Sequence, residues 1–189
     1  MRKVIVGVTG ASGSRYAWIA LSALRASGAR EVHLVMSAQA RRTIEIETDK
    51  HPADFEALAD VVHHDEDLAA SISSGSFITD GMLVVPCSIK TAGGIAHSLN
   101  SNLLTRAADV CLKERRKLVL MVRETPLHLG HLRTLGQLAE LGAVILPPMP
   151  ALYARPQSVD DVLAHSVGKA FDQFGIEHAL FTRWSTPAN

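Results

Sequence analysis

Five short apolar runs, rich in β-branched residues and bounded by turn formers, restrict what this chain can fold into more than any other feature. They lie at Lys3 to Val8, Glu31 to Met36, Gly81 to Val85, Lys117 to Val122 and Ala143 to Leu146. Each reads as a buried parallel strand, because burial on both faces removes the polar alternation of a half-exposed one. Segments of helical period fall between them, at Arg15 to Ser27, Leu103 to Arg116 and His128 to Leu141, with Gly28 and Gly142 placed as C-terminal stops. Strand and helix in alternation predict a three-layer α/β/α domain. With 189 residues and 47% apolar composition, one domain over residues 1–189 has apolar material enough for its core. Ala38 to Ala70 is charged and mixed, and predicts helices with a short sixth strand near Val61-Val62. Ser71 to Thr79, rich in Ser and Gly, predicts a surface loop.

Charge and cysteine content exclude several classes. Lys plus Arg number 19 and so do Asp plus Glu, so no net field draws the chain to nucleic acid or a membrane, and an anion site must be local. Met1-Arg2-Lys3 has the charge of a signal peptide's start, but Val4 to Val8 is too short for its apolar core, and no run approaches the roughly 20 residues of a membrane helix. Cys87 and Cys111 have neither metal nor redox spacing. A cytoplasmic protein is expected.

Ligands of open parallel sheets bind beyond the carboxyl ends of the strands, so the residues there matter most. After the first strand, Gly7-Val8-Thr9-Gly10-Ala11-Ser12-Gly13-Ser14 lets backbone approach a ligand and points the next helix's N-terminal amides at an anion. Its spacing departs from the dinucleotide fingerprint, and the second strand ends in Met36-Ser37 where a ribose-binding acid would stand, so a mononucleotide such as FMN fits better. Pro86-Cys87-Ser88-Ile89-Lys90-Thr91 offers a second strand-to-helix turn with hydroxyls and free amides. Cys87 reads as a buried structural thiol, since no His stands near it. Arg115, Arg116 and Lys117 read as the solvated end of a helix. Arg123-Glu124-Thr125-Pro126 places an Arg and a Glu at a strand end, on the ligand rim. His128 and His131, with Glu124, make at most half a metal site, and no metal is expected.

Thr9-Gly10-Ala11-Ser12-Gly13, Pro86-Cys87-Ser88, Arg106-Ala107-Ala108-Asp109-Val110, Leu112-Lys113-Glu114-Arg115-Arg116, Arg123-Glu124-Thr125-Pro126, Pro150-Ala151-Leu152-Tyr153 and Asp172-Gln173-Phe174-Gly175 together resemble the UbiX/Pad flavin prenyltransferases, over nearly the whole chain. The resemblance implies a Rossmann-like (flavodoxin-like) flavoprotein that prenylates reduced FMN with dimethylallyl phosphate at N5 and C6, for a partner decarboxylase of the UbiD family, and a homododecamer. It implies FMN binding by Gly10, Ala11, Ser12, Ser37, Ser88, Ile89, Lys90, Thr91 and Arg123, with positive charge added by Arg106 and Lys113. Tyr153 and Lys169 match positions that grip the dimethylallyl phosphate, with Lys113 and Arg123 stabilising the leaving group, and Glu47 and Glu124 match acids beside the flavin. The proton lost at C6 passes to the departing phosphate, relayed by Glu124 or Ser12. Leu68 and Leu152 stand where relatives carry aromatic side chains, and Trp184 resembles a terminal motif. The rival readings are a non-catalytic FMN carrier, a decarboxylase acting directly, and, last, an NAD-linked dehydrogenase.

Overall fold

A computed structural model describes residues 2–184. Six parallel strands run in the order β3-β2-β1-β4-β5-β6: β1 (Lys3–Val8), β2 (Glu31–Met36), β3 (Val61–His64), β4 (Gly81–Cys87), β5 (Lys117–Val122) and β6 (Val144–Ile145). The helices are α1 (Ser14–Ser27), α2 (Ala38–Glu47), α3 (Pro52–Glu56), α4 (Ile89–Ala96), α5 (Leu103–Lys113), α6 (Leu129–Glu140) and α7 (Val159–Phe174). This is the three-layer Rossmann-like, flavodoxin-like sheet expected.

The pleat explains why the strands read as unbroken apolar runs. Val4, Val6 and Val8 face a core shared with Leu21 and Leu24 of α1 and Val167 and Phe171 of α7. Ile5 faces the opposite core, with Ile95 of α4, Leu104 and Ala108 of α5 and Leu138 of α6. His33 interrupts β2 but is satisfied: it shares hydrogen bonds with His63 (2.9 Å) and Glu31 (3.0 Å).

Boundaries differ from the expectations where local chemistry decides. The helix expected to reach Arg116 stops at Lys113 because Arg115 turns left-handed (φ 57°) and the Arg116 amide closes back on the Cys111 carbonyl at 2.8 Å. Arg116 is then not a solvated helix end. Its guanidinium is half-buried and donates to the carbonyls of Phe77 (2.7 Å) and Gly75, tying down the Ser71 to Thr79 loop, which itself contains a 3-10 turn at Ser71–Ser73. His128 lies outside α6 as its N-cap, its Nδ1 accepting from the amides of Gly130 (3.0 Å) and His131 (3.4 Å). That lone pair is unavailable to a metal. The fifth expected strand shrinks to Val144–Ile145, while β4 runs on to Cys87.

Gly81 opens β4 at φ 138°, where a Cβ would overlap the Lys117 carbonyl oxygen. A side chain there meets both an unfavourable backbone region and a backbone collision. Gly81→Ala is expected to cost about 2 kcal/mol or more, to be read as a lower denaturation midpoint at unchanged m-value.

Candidate functional site

The strand order reverses between β1 and β4, and the crevice above that point is held by one side chain. The Thr9 hydroxyl donates to the Pro86 carbonyl at 2.8 Å and accepts from the Ser88 amide at 2.9 Å, joining the carboxyl ends of β1 and β4. Ligands of open α/β sheets bind at such a reversal. Here the crevice widens into a cavity of about 620 Å³ walled by Thr9, Gly10, Ser37, Gln39, Asp65, Ser88, Lys90, Thr91 and Thr105, among others. That volume suits a cofactor-sized ligand.

Two helices aim their amino ends at this space. Ser37 caps α2, its hydroxyl accepting from the Ala40 amide at 3.1 Å, and Ser88 caps α4, accepting from Thr91 at 3.2 Å. Each cap serves the third amide of its helix, so the first two, on Ala38 and Gln39 and on Ile89 and Lys90, have no acceptor within the helix. Paired amino ends form an anion cradle in an otherwise neutral chain. The donor set fits a mononucleotide phosphate, and FMN in particular fits the cavity's size.

Asp65 closes the far wall and organises it. Its carboxylate accepts from the Leu104 amide (3.0 Å) and Asn102 Nδ2 (2.9 Å), and its carbonyl accepts from Leu103 (2.7 Å), so it fixes the start of α5. Burial pushes its carboxyl above the usual range, against those hydrogen bonds. Neither Asp65 nor Thr9 was a candidate from sequence. Asp65 directly follows β3, the strand with the weakest pattern, while Thr9 sat in the glycine loop without a role.

The first loop does not do what its sequence suggested. The amides of Gly13 and Ser14, at the amino end of α1, are taken by the Glu47 carboxylate at 2.9 and 2.8 Å. The intended anion is therefore this chain's own. Burial raises the Glu47 carboxyl, but hydrogen bonds from the Ser12 hydroxyl, the Ser14 and Gly13 amides and the Ser14 hydroxyl outweigh it and hold the acid below its ordinary range. Of this loop, Thr9 and Gly10 line the cavity.

At the end of β5 the Arg123 amide donates to the Cys87 carbonyl at 3.0 Å, and its exposed side chain lies near Tyr16, whose hydroxyl is raised by burial against the pull of that cation. Glu124 is half-buried and accepts from the Thr125 amide at 3.1 Å. Cys87 is fully buried, its thiol pushed up to about 12 by desolvation, which supports a structural role.

Of the four residues matched to the prenyl phosphate, Arg123 stands at the end of β5 and the other three lie in two places. Tyr153 meets α7, from which Lys169 projects and pairs with Asp172 at 3.5 Å. Trp184 packs edge-on against Tyr153 at 5.3 Å. Lys113 is elsewhere: α5 begins at the cavity with Thr105, and eight residues further, about 12 Å along the helix, Lys113 lies beside Glu114 near the loop that Arg116 ties down. Arg106 turns toward Ser73, donating to its carbonyl at 3.1 Å, and pairs with Asp109 at 3.4 Å. Within one chain, then, Lys113 and Arg106 do not join Tyr153 and Lys169. Leu68 and Leu152 are exposed.

Residues 1–171 match the Flavoprotein family model. The flavin prenyltransferase UbiX of Escherichia coli strain K12 is 59% identical over 97% of this chain and 98% of its own length. That of Thauera aromatica is 55% identical, covering 97% and 94%. Among solved structures, AnUbiX in complex with FMN and dimethylallyl pyrophosphate superposes with a TM-score of 0.96 at 48% identity, covering 98% of each chain. A dodecameric FMN-dependent UbiX-like decarboxylase from Escherichia coli O157:H7 superposes at 0.95 with 50% identity, over 97% of this chain and 100% of that one. With sequence and overall path shared at this level, the chain belongs to the UbiX family of flavin prenyltransferases within the flavoproteins.

Proposed function

We infer that this protein is a flavin prenyltransferase, moving the dimethylallyl group of dimethylallyl phosphate onto N5 and C6 of reduced FMN to give prenylated FMN. The observation that carries this is the cavity between two Ser-capped helix ends at the sheet's reversal point, in a chain that matches a relative bound to FMN and dimethylallyl pyrophosphate along nearly its whole length.

In this reading the amino ends of α2 and α4, with Ser37, Ser88, Lys90 and Thr91, hold the flavin phosphate, while Gly10, Ala11 and Ile89 contribute backbone. Arg123 and Glu124 border the ring. Bound reduced FMN supplies the N5 nucleophile. Tyr153 and Lys169 grip the allyl phosphate, and fixed cations near the leaving group stabilise its developing charge without reorganisation. Holding the two partners in register removes much of the entropic barrier. The Ser12 hydroxyl beside Glu47 is one place where a proton can be handled, and Glu124 is the other. Lys113 and Arg106 complete the positive field only if a second copy brings them to the Tyr153 side, which calls for a homo-oligomer. We propose residues 1–189 as one such unit, acting in the cytoplasm and supplying a UbiD-family decarboxylase. No described helix is long and apolar enough to cross a membrane.

Anaerobic incubation of the protein with reduced FMN and dimethylallyl phosphate, followed by mass measurement of the extracted flavin, tests the reading. A gain of one prenyl unit over a no-protein control is expected. Unchanged FMN that stays tightly bound would support the carrier instead. Ser88→Ala, which removes the α4 cap, is expected to cost about 1 kcal/mol of stability and to weaken FMN binding in a fluorescence titration.

A further inference from the structure

Tyr153 stands in the 3-10 turn Leu152–Ala154, and its hydroxyl lies 3.0 Å from Nε2 of His165 on α7. Tyr153 is 46% exposed whereas His165 is only 8% exposed, so the phenol faces outward and the imidazole supports it from beneath. The imidazole is itself fixed, packed edge-on against the Tyr153 ring at 5.7 Å and against Phe181 at 4.4 Å. Lys169 follows one turn later on α7, so the His165 bond holds the phenol over the helix face that presents this cation.

A phenol has one proton to give. Were Nε2 to accept it, the tyrosine would turn only lone pairs outward, and these repel a phosphate oxygen. With the hydrogen on Nε2, the imidazole donates to the phenol oxygen and the phenol proton is free to point away from the helix. A neutral ring with Nε2–H meets this need, and burial, then the nearby Lys169 cation, favour the neutral ring over the attraction of Asp172.

We propose that His165 is a positioning residue, donating from Nε2 to the Tyr153 hydroxyl so that the phenol proton is turned toward the phosphate of the prenyl donor. The proposal rests on the reading of Tyr153 as a phosphate-gripping residue. The test measures kcat, KM for dimethylallyl phosphate and FMN affinity in wild type, Tyr153→Phe, His165→Phe, His165→Gln and the Tyr153→Phe/His165→Phe double variant. His165→Phe keeps a ring against Phe181 but has no donor, and is expected to raise KM about tenfold with kcat and FMN affinity within about twofold. His165→Gln, with an amide donor, is expected to bring KM back to within about threefold of wild type. Tyr153→Phe should raise KM at least as much, and the double variant no further.

An unchanged KM in His165→Phe beside a raised one in Tyr153→Phe overturns the proposal, as does a Gln variant no better than the Phe one. An unchanged KM in Tyr153→Phe instead removes the phosphate-gripping reading itself, and the role of His165 with it. Should His165→Phe fail to fold, seen as lost FMN binding, His165→Gln against His165→Glu decides. The carboxylate only accepts, so it should raise KM where the amide does not, and equal KM values in the two overturn the proposal.

Discussion

Glu124→Gln is expected to bind FMN as the wild type does and to form prenylated flavin about a hundredfold more slowly, the usual scale for loss of a positioned proton acceptor. Glu124 stands at the carboxyl end of β5, half-buried, with one oxygen engaged by the Thr125 amide. Replacing the carboxylate by an amide of the same size leaves the side chain's volume unchanged, so FMN affinity is expected to stay near that of the wild type. Gln keeps the shape and still accepts from Thr125 but cannot take up the proton released when the ring closes at C6. Anaerobic single-turnover measurement of product mass, with FMN affinity measured in parallel, separates the two effects. Turnover equal to wild type would remove Glu124 from proton handling and leave the departing phosphate and Ser12–Glu47 to do it.

Glu47→Ala is expected to loosen the first loop as well as slow turnover. The carboxylate accepts from the Gly13 and Ser14 amides, and Gly13 sits at φ 116°, a conformation held by that grip. Hydrogen bonds to a charged acceptor contribute about 1.5–3 kcal/mol each, but a half-exposed site allows water to replace part of them. A net loss of about 2 kcal/mol is expected, or a fall in Tm of roughly 4–8 °C for a chain of this size. Glu47 is held below its ordinary range in the folded state, so its contribution is complete above the unfolded carboxyl's pKa and is lost as pH falls through the lower, folded value. The stability gap between wild type and Glu47→Ala should therefore be widest near neutrality and close toward acid. A gap independent of pH would mean that the charge of Glu47 plays no part.

The sheet could be read from sequence because strands buried on both faces leave unbroken apolar runs, as in Val4 to Val8 and Leu118 to Val122. β3 was nearly invisible because it is an edge strand of four residues, two of them His, with only one face packed. The residue that follows it, Asp65, therefore escaped notice although it forms part of the cavity wall. The second anion loop was legible, since Ser88 before a helix is a local cap signal. The first is only partly legible: Gly10 to Ser14 has the composition of a phosphate loop, but the amides of Gly13 and Ser14 are taken by Glu47 at the end of α2, which no local pattern reports. Lys113 and Tyr153 were matched to one phosphate by their motifs alone, and motif order says nothing of the fact that Lys113 ends α5 on one face of the sheet while Tyr153 meets α7 on the other.

Thr9 has a consequence for how the cavity moves. Because one hydroxyl both donates to β4 and accepts from the amide that begins the α4 turn, the loops on either side of the strand reversal are coupled mechanically. A ligand arriving there meets a floor already braced by these two hydrogen bonds, so less of its binding energy goes to ordering that floor. Adaptability is then expected away from that floor, at side chains such as Glu124, Leu152 and Tyr153 that are partly or largely open to solvent. Variation in which prenyl donor is accepted should arise at those side chains, while the choice of flavin stays fixed by the floor.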